Sequence, residues 1–161
     1  MKILVVSDTH GRWGALYNVI RSHPDAGTVI HLGDGNDDLE RLRPEFAHLD
    51  MYGVLGNCDF SFGTGLSSVL TVTIEEKVIF CTHGHNYRVK AGYSMVEAAA
   101  HARSADICLF GHTHEPFCEC RSGLYMMNPG SLGHPRDRKP SCGIIDITSE
   151  GISARLVECD I

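Results

Sequence analysis

Apolar runs that end in Asp, Asn or His are the feature that most constrains this chain. The first, Ile3-Leu4-Val5-Val6, leads into Asp8-Thr9-His10. Later runs lead to Gly33-Asp34, Gly56-Asn57-Cys58-Asp59, His83-Gly84-His85 and Gly111-His112-Thr113-His114. Short unbroken apolar runs describe buried strands, and polar side chains carried to the ends of such strands collect in the crevice where an open α/β sheet binds its ligands. Seven stand out as candidate metal ligands: Asp8, His10, Asp34, Asn57, His83, His112 and His114. A catalytic ion usually takes about three protein ligands and a water, so this set serves two ions if one carboxylate bridges them. Residues two apart on an extended segment project to one side, so Asp8 with His10, and His112 with His114, are expected to converge. A single Asp-x-His is more often a turn or a hydrogen-bonded histidine. Five such segments, each after an apolar run, are hard to explain that way.

The first half of the chain alternates. Strands are expected over residues 2–7, 28–32 and 51–55, with helices over 14–22 and 37–43 between them, the second ending before Pro44. Such alternation indicates parallel βαβ units. Beyond Val69 the texture changes. Strands over 69–74 and 77–82 flank a Glu75-Glu76 turn, and 92–103 carries Tyr93, Val96, Ala99 and Ala100 at helical spacing. Further strands are expected over 107–110, 117–120, 124–127, 143–148 and 152–157, the last two joined by Ser149-Glu150-Gly151. This half is expected to supply antiparallel pairs for a second sheet. The segment 58–68 is the main Gly/Ser-rich loop, and a loop of that length is often functional. Phe60 or Phe62 on it are candidates to stack on an aromatic substrate group, with simple packing of the rings as the alternative.

At 161 residues the chain is expected to form one domain, 1–161, able to bury about 70% of its unfolded surface. Asp8 interrupts the N-terminal apolar stretch too early for a signal-peptide core or a membrane span, so a cytoplasmic protein with no membrane partner is expected. Seven cysteines, an odd number without paired zinc-ribbon spacing, suit a reducing compartment. Cys81, Cys108 and Cys142 read as small core residues. Cys118-x-Cys120 reads as structural rather than metal-binding. A net charge of −6 argues against a nucleic-acid partner. The one basic run, Arg136-Asp137-Arg138-Lys139, is either a solvated loop or a phosphate-facing segment that returns over the site. A homo-oligomer is left open.

Competing chemistries fail on spacing. Gly33-x-Gly35 is followed by Asp38 where a dinucleotide fingerprint needs glycine, and no Walker-type Gly-x-x-x-x-Gly-Lys or Gly-x-Ser-x-Gly elbow occurs. Cys81 and Arg88 are one residue too far apart for a cysteine-phosphatase loop.

The ordered blocks Asp8-x-His10, Gly33-Asp34, Gly56-Asn57, His83-Gly84-His85 and Gly111-His112-x-His114 resemble the signature of the calcineurin-like metallophosphoesterases. Asn128-Pro129-Gly130-Ser131 and the short length resemble the small prokaryotic YfcE-type branch. The resemblance spans roughly residues 1 to 148. It implies an α/β fold, a four-layer αββα sandwich of two mixed β-sheets flanked by helices. It also implies a dinuclear hydrolase acting on small phosphoesters, phosphodiesters first and some phosphomonoesters. By the same resemblance Asp8, His10 and His114 hold one divalent ion, Asn57, His83 and His112 the other, and Asp34 bridges. His83 is favoured over His85, which is left a supporting or packing role. Imidazole mixed with carboxylate and amide oxygen suits transition metals, Mn first, with Fe, Co, Ni or Zn as alternatives. Two such ions beside Asp8 and Asp34 leave the site at about +2, enough to attract a phosphodiester and to generate a hydroxide that attacks phosphorus at neutral pH.

One position departs from the pattern. Most of the superfamily has histidine after the asparagine, placed to protonate the leaving group, and this chain has Cys58. A thiol is a weaker general acid in an uncharged setting. Asp59, which would orient such a histidine, is left to cap the loop. Thiolate ligation of a metal by Cys58 ranks below an inert thiol. The same fold also resembles the retromer subunit, a protein-binding scaffold with a degraded metal site, and fold alone does not separate enzyme from scaffold. The full ligand set favours the enzyme.

Overall fold

A computed structural model describes residues 1–60, 65–136 and 138–161. Its elements run β1 (Lys2–Val6), α1 (Trp13–Ser22), β2 (Thr28–His31), α2 (Asn36–Leu42), β3 (Asp50–Gly53), β4 (Val69–Ile74), β5 (Lys77–Thr82), α3 (Ser94–His101), β6 (Ile107–Leu109), β7 (Pro116–Arg121), β8 (Leu124–Pro129), β9 (Ser141–Thr148) and β10 (Gly151–Glu158). The expected elements are all present, with ends displaced by up to two residues. A short 3₁₀ turn at His85–Tyr87, directly after β5, was not expected.

The strands form two five-stranded mixed sheets, ordered β10-β9-β1-β2-β3 and β4-β5-β6-β8-β7. The hairpins β4–β5 and β7–β8 are antiparallel pairs of the second sheet, as expected. The last two strands do not join them. β9 returns to pair antiparallel with β1, and β10 pairs with β9, so the final hairpin completes the first sheet. Alternation of side chains explains why this return succeeds: Ile144 on β9 joins the same apolar layer as Leu4 on β1, while Ile145 joins Ile3 in the layer behind.

The same alternation builds the four layers. Leu4 and Val6 face outward to Leu16, Val19 and Ile20 of α1 and Leu39 and Leu42 of α2. Ile3 and Val5 face inward, where with Ile30, Leu32, Ile79, Ile107, Leu109 and Ile145 they form the seam between the sheets. On the far side Phe80, Cys108, Phe110 and Met126 pack beneath Val96 and Ala100 of α3. Leu16, Val19 and Ile20 stand at helical spacing, and α1 stops before Pro24, whose ring disfavours a helical His23. Truncating one of the fully buried aliphatics to Ala would cost about 2–5 kcal/mol.

This arrangement fixes where chemistry can occur. β1, β2 and β3 are parallel, and so are β5, β6 and β8. Their carboxyl ends meet at one edge of the two sheets, where irregular backbone carries the polar blocks.

Candidate metal centre

Asp8 follows β1, Asp34 follows β2, Asn57 follows β3, His83 follows β5, and His112 and His114 follow β6. Backbone bonds stitch these ends together: Asp8 N–H donates to Gly33 O at 3.0 Å, His10 N–H to Asp34 O at 3.0 Å and Gly111 N–H to His83 O at 3.0 Å. The glycines in the blocks permit that closeness. A Cβ on Gly56 would lie 2.1 Å from Asp34 Oδ1, and one on Gly111 would lie 2.1 Å from Ser7 Oγ and 3.0 Å from Asp8 Oδ2.

Convergence comes about differently from the extended geometry expected for Asp8-x-His10 and His112-x-His114. All four residues have positive φ, 54° and 47° in the first pair and 70° and 60° in the second, and Asp34 has 54°. Left-handed backbone turns the side chains into the crevice where a strand continuation would have carried the chain past it. Each such residue costs about 1–3 kcal/mol, and such strain persists only where surroundings impose it.

The side chains form two overlapping groups. Asp8, His10 and His114 bring ligand atoms within 4.8 Å of one another, and so do Asp8, Asp34 and His83. In the first group His114 Nε2 lies 3.1 Å and His10 Nε2 3.8 Å from Asp8 Oδ1, with 3.4 Å between the two nitrogens. In the second, His83 Nε2 lies 3.4 Å from Asp34 Oδ2, 3.1 Å from Asn57 Oδ1 and 3.2 Å from His112 Nδ1. Asp34 also groups with His10 and Cys58, so it stands between the two sets. His85 joins none of these groups. Its ring lies 5.4 Å from that of His83 and 6.0 Å from that of His112, at the start of the 3₁₀ turn.

Hydrogen bonding settles which atoms are free to ligate. His83 Nδ1 lies 2.7 Å from Leu32 O and His114 Nδ1 lies 2.7 Å from His134 O. A carbonyl only accepts, so both rings donate from Nδ1 and, when neutral, present Nε2 as a lone pair. Those lone pairs face Asp8 Oδ1, Asp34 and Asn57 Oδ1, all acceptors. Asp8 Oδ1 is buried and, among the described residues, has no hydrogen-bond partner of its own. Acceptors aimed at one another from buried positions repel unless a cation or added protons lie between them. Burial opposes a proton on His83, yet Asp34 and Asp8 outweigh it and raise its pKa, while the Asp8 carboxylate facing His114 Nε2 raises that of His114. Burial, then His83 and Lys90, push His112 down to about 4, so it is neutral at pH 7 and ready to ligate. The donor set fits divalent metal: carboxylate, amide oxygen and oriented imidazole in a buried, orphaned arrangement.

Cys58 and Asp59 occupy different settings. Cys58 is exposed, its N–H donates to Asp34 Oδ1 at 2.7 Å, and burial with the Asp34 and Asp59 carboxylates pushes its thiol up. Asp59 is committed to backbone. Its Oδ2 accepts from Asp34 N (2.7 Å), Gly56 N (2.8 Å) and Asn36 Nδ2 (2.8 Å), and its Oδ1 from Gly35 N (2.8 Å) and Asn36 N (3.0 Å). Burial raises its pKa, but these bonds outweigh burial and hold it below the usual range. Asp59 therefore ties the Asp34 turn to the Asn57 turn. Phe60 is 86% exposed beside them, and Phe62 lies outside the described residues.

Sequence reasoning missed several supports. The Leu32 and His134 carbonyls orient two imidazoles. Thr9 Oγ1 meets His31 Nε2 at 3.1 Å and Asp38 Oδ2 at 2.6 Å, and burial pushes His31 down to about 4. Asn128 Nδ2 bonds Gly111 O and Thr113 Oγ1, both at 2.9 Å, and Ser131 Oγ bonds Asp8 O at 2.8 Å, which explains the Asn-Pro-Gly-Ser turn. The lone His inside the Val29-Ile30-His31-Leu32 run was the available signal for the Thr9 network.

Residues 1–150 match the family model of the calcineurin-like phosphoesterase superfamily domain. The chain belongs to that superfamily. The probable metallophosphoesterase YsnB of Bacillus subtilis is 32% identical over 98% of this chain and 91% of its own. The structure of the Escherichia coli phosphoesterase YfcE superposes with a TM-score of 0.69 at 27% identity, covering 91% of this chain and 88% of that one. Wild-type Vps29 of Entamoeba histolytica, solved with zinc, has a TM-score of 0.71 over 98% and 99% of the two chains, and at 20% identity this likeness is one of fold alone. A calcineurin-like phosphoesterase domain implies divalent metals, and the clusters described above are the groups that can bind them. Among the described residues, no helix is long and apolar enough to cross a membrane.

Proposed function

We propose that this phosphoesterase hydrolyses small phosphodiesters with the aid of two divalent ions. Asp8, His10 and His114 would hold one, Asn57, His83 and His112 the other, and Asp34 would contact both. The observation that carries the reading is the orphaned Asp8 Oδ1, facing the Nε2 lone pair of His114 at 3.1 Å with Asp34 and His83 directly behind. Bound divalent ions would supply Lewis acidity and a nucleophile from water at neutral pH, so no organic cofactor is needed. The chain's part is positional. Leu32 O and His134 O fix the imidazole tautomers, the left-handed turns aim the ligands, and Asp59 locks the two loops that carry Asp34 and Asn57. Cys58 groups with His10 and Asp34 and its thiol is held protonated, which leaves leaving-group protonation weakly served. The diester preference is supported by the relative named Phosphodiesterase YfcE, 29% identical over 91% of this chain. Seven free thiols suit the cytoplasm.

A scaffold of the retromer-subunit kind needs no set of buried acceptors converging on one point, so that reading ranks second. The test is a hydrolysis screen over phosphodiesters, phosphomonoesters and cyclic nucleotides, before and after chelation and after Mn addition. Metal-restored turnover, with diesters ahead, is expected. Full turnover with metal analysis showing no bound ion would refute the mechanism.

A further inference from the structure

Two cavities flank the candidate centre, and their charges differ. On the His10 side a cavity of about 210 Å³ is lined by Asp34, Asp37, Asp38, Cys58 and Asp59. On the His114 side a cavity of about 380 Å³ is lined by Lys90, Tyr93, Thr113, Glu115 and Arg136. Thr113, one of the residues lining the second cavity, lies between His112 and His114 in the chain, so that cavity adjoins the loop carrying both histidines. The first flank is acidic. The second gathers two cations against one carboxylate in a protein whose net charge is −6.

The basic run explains half of this. Lys139 pairs with Asp160 at 3.4 Å and, with Arg138, lines a separate cavity. Arg136 alone turns back, its N–H on His114 O at 3.5 Å and its guanidinium 3.5 Å from Glu115. Lys90 comes from the segment between the 3₁₀ turn and α3. It is exposed and, among the described residues, has no ion pair or hydrogen bond. Burial and Glu115 keep the Tyr93 phenol protonated, so it remains a donor. An unpaired ammonium beside a half-neutralised guanidinium attracts an anion, and a concave wall concentrates that attraction.

We propose that this cavity is a substrate subsite for an anionic substituent: the preferred phosphoester carries, on one of its ester groups, a further phosphate or carboxylate that Lys90 and Arg136 receive. The proposal rests on the phosphoesterase reading above. Glu115 limits the subsite by holding Arg136, and its removal strengthens the subsite. That opposition of signs distinguishes anion recognition from a general structural effect.

The experiment compares 4-nitrophenyl phosphodiesters whose second alcohol is propanol, 3-hydroxypropyl phosphate or 3-hydroxypropanoate, using metal-loaded protein and nitrophenol release. The quantity read is the ratio of kcat/KM for each anionic ester to that for the propyl ester. Lys90→Gln should lower the ratio, through KM, by roughly threefold to fivefold, the size of one exposed ion pair. Glu115→Gln should raise it. High salt should pull all ratios together. The phosphate and carboxylate arms show which anion is preferred. Turnover with a ratio unmoved by either variant, or moved in the same direction by both, overturns the subsite and leaves the phosphoesterase reading intact. No turnover of any ester by metal-loaded wild type removes both.

Discussion

Replacing Asp59 by Asn removes one charge and almost no volume, and the hydrogen-bond geometry sets what that should cost. Five N–H groups converge on the carboxylate, three on Oδ2 and two on Oδ1. The best placement of an amide puts its oxygen where Oδ2 was and turns its NH₂ toward Gly35 N and Asn36 N, leaving two donors facing donors. An unsatisfied buried donor costs about 1–3 kcal/mol, and partial access of water to this site favours the lower half, so about 2–4 kcal/mol is expected for the pair. With a urea dependence of about 2 kcal/mol/M, the unfolding midpoint should fall by about 1–2 M at pH 7. The pH dependence carries a sign. Asp59 has a folded pKa below its unfolded value, so its stabilisation is fully present above the unfolded carboxylate range, near about 4, and is lost as pH falls toward the folded value. The gap between wild type and Asp59→Asn should therefore be constant from neutrality to about pH 5 and narrow below that. Urea titrations of both proteins across that range measure it. A midpoint shift too small to resolve, or a gap that widens on acidification, would refute the clasp.

Four further variants probe the centre itself. Asp34→Asn should lower metal content and turnover together, read by elemental analysis and initial rates, and a variant keeping two tightly held ions would place the bridge elsewhere. His83→Ala should remove one of two bound ions, whereas His85→Ala should leave two, and the reverse pattern would overturn the choice of ligand. Cys58→His should help an alkyl diester more than an aryl diester, since a well-placed general acid is worth roughly 10²–10⁴-fold to a poor leaving group; an unchanged alkyl-to-aryl ratio of kcat/KM, at matched metal content, would show that residue 58 does not face the leaving group.

Much of this was legible because side-chain chemistry and strand burial are written in the same short runs. Ile3 to Val6 predicts a strand, and the alternation of Leu4 and Val6 with Ile3 and Val5 assigns its two faces once two layers exist. The seven ligand types could be named without coordinates because metal chemistry restricts them to few residues. The return of β9 to β1 was not legible, since an antiparallel hairpin with one half-buried face satisfies either sheet, and partner choice depends on packing across the seam. Nor were the Leu32 and His134 carbonyls, because a backbone acceptor carries no mark of residue type. Lys90 was equally silent: one exposed lysine acquires meaning only when folding sets it beside Thr113 and Arg136.

The left-handed turns tie these parts together. Five of the seven ligand candidates adopt positive φ without being glycine, at a cost of about 1–3 kcal/mol each. Nothing in their side chains favours that backbone strongly, although Asp tolerates it better than most. What imposes it is the neighbouring backbone: Asp8 is held by its own N–H on Gly33 O and by Gly133 N and Ser131 Oγ on its carbonyl, and Asp34 by its N–H on Asp59. The glycines at 56 and 111 let those neighbours come close enough to act, since a Cβ at either would strike Asp34 or Ser7. Strain and proximity therefore have one cause. The loops are compressed until acceptors face acceptors, an arrangement that a divalent cation would stabilise, so on the proposed reading ligand placement and metal affinity would depend on the same few backbone hydrogen bonds.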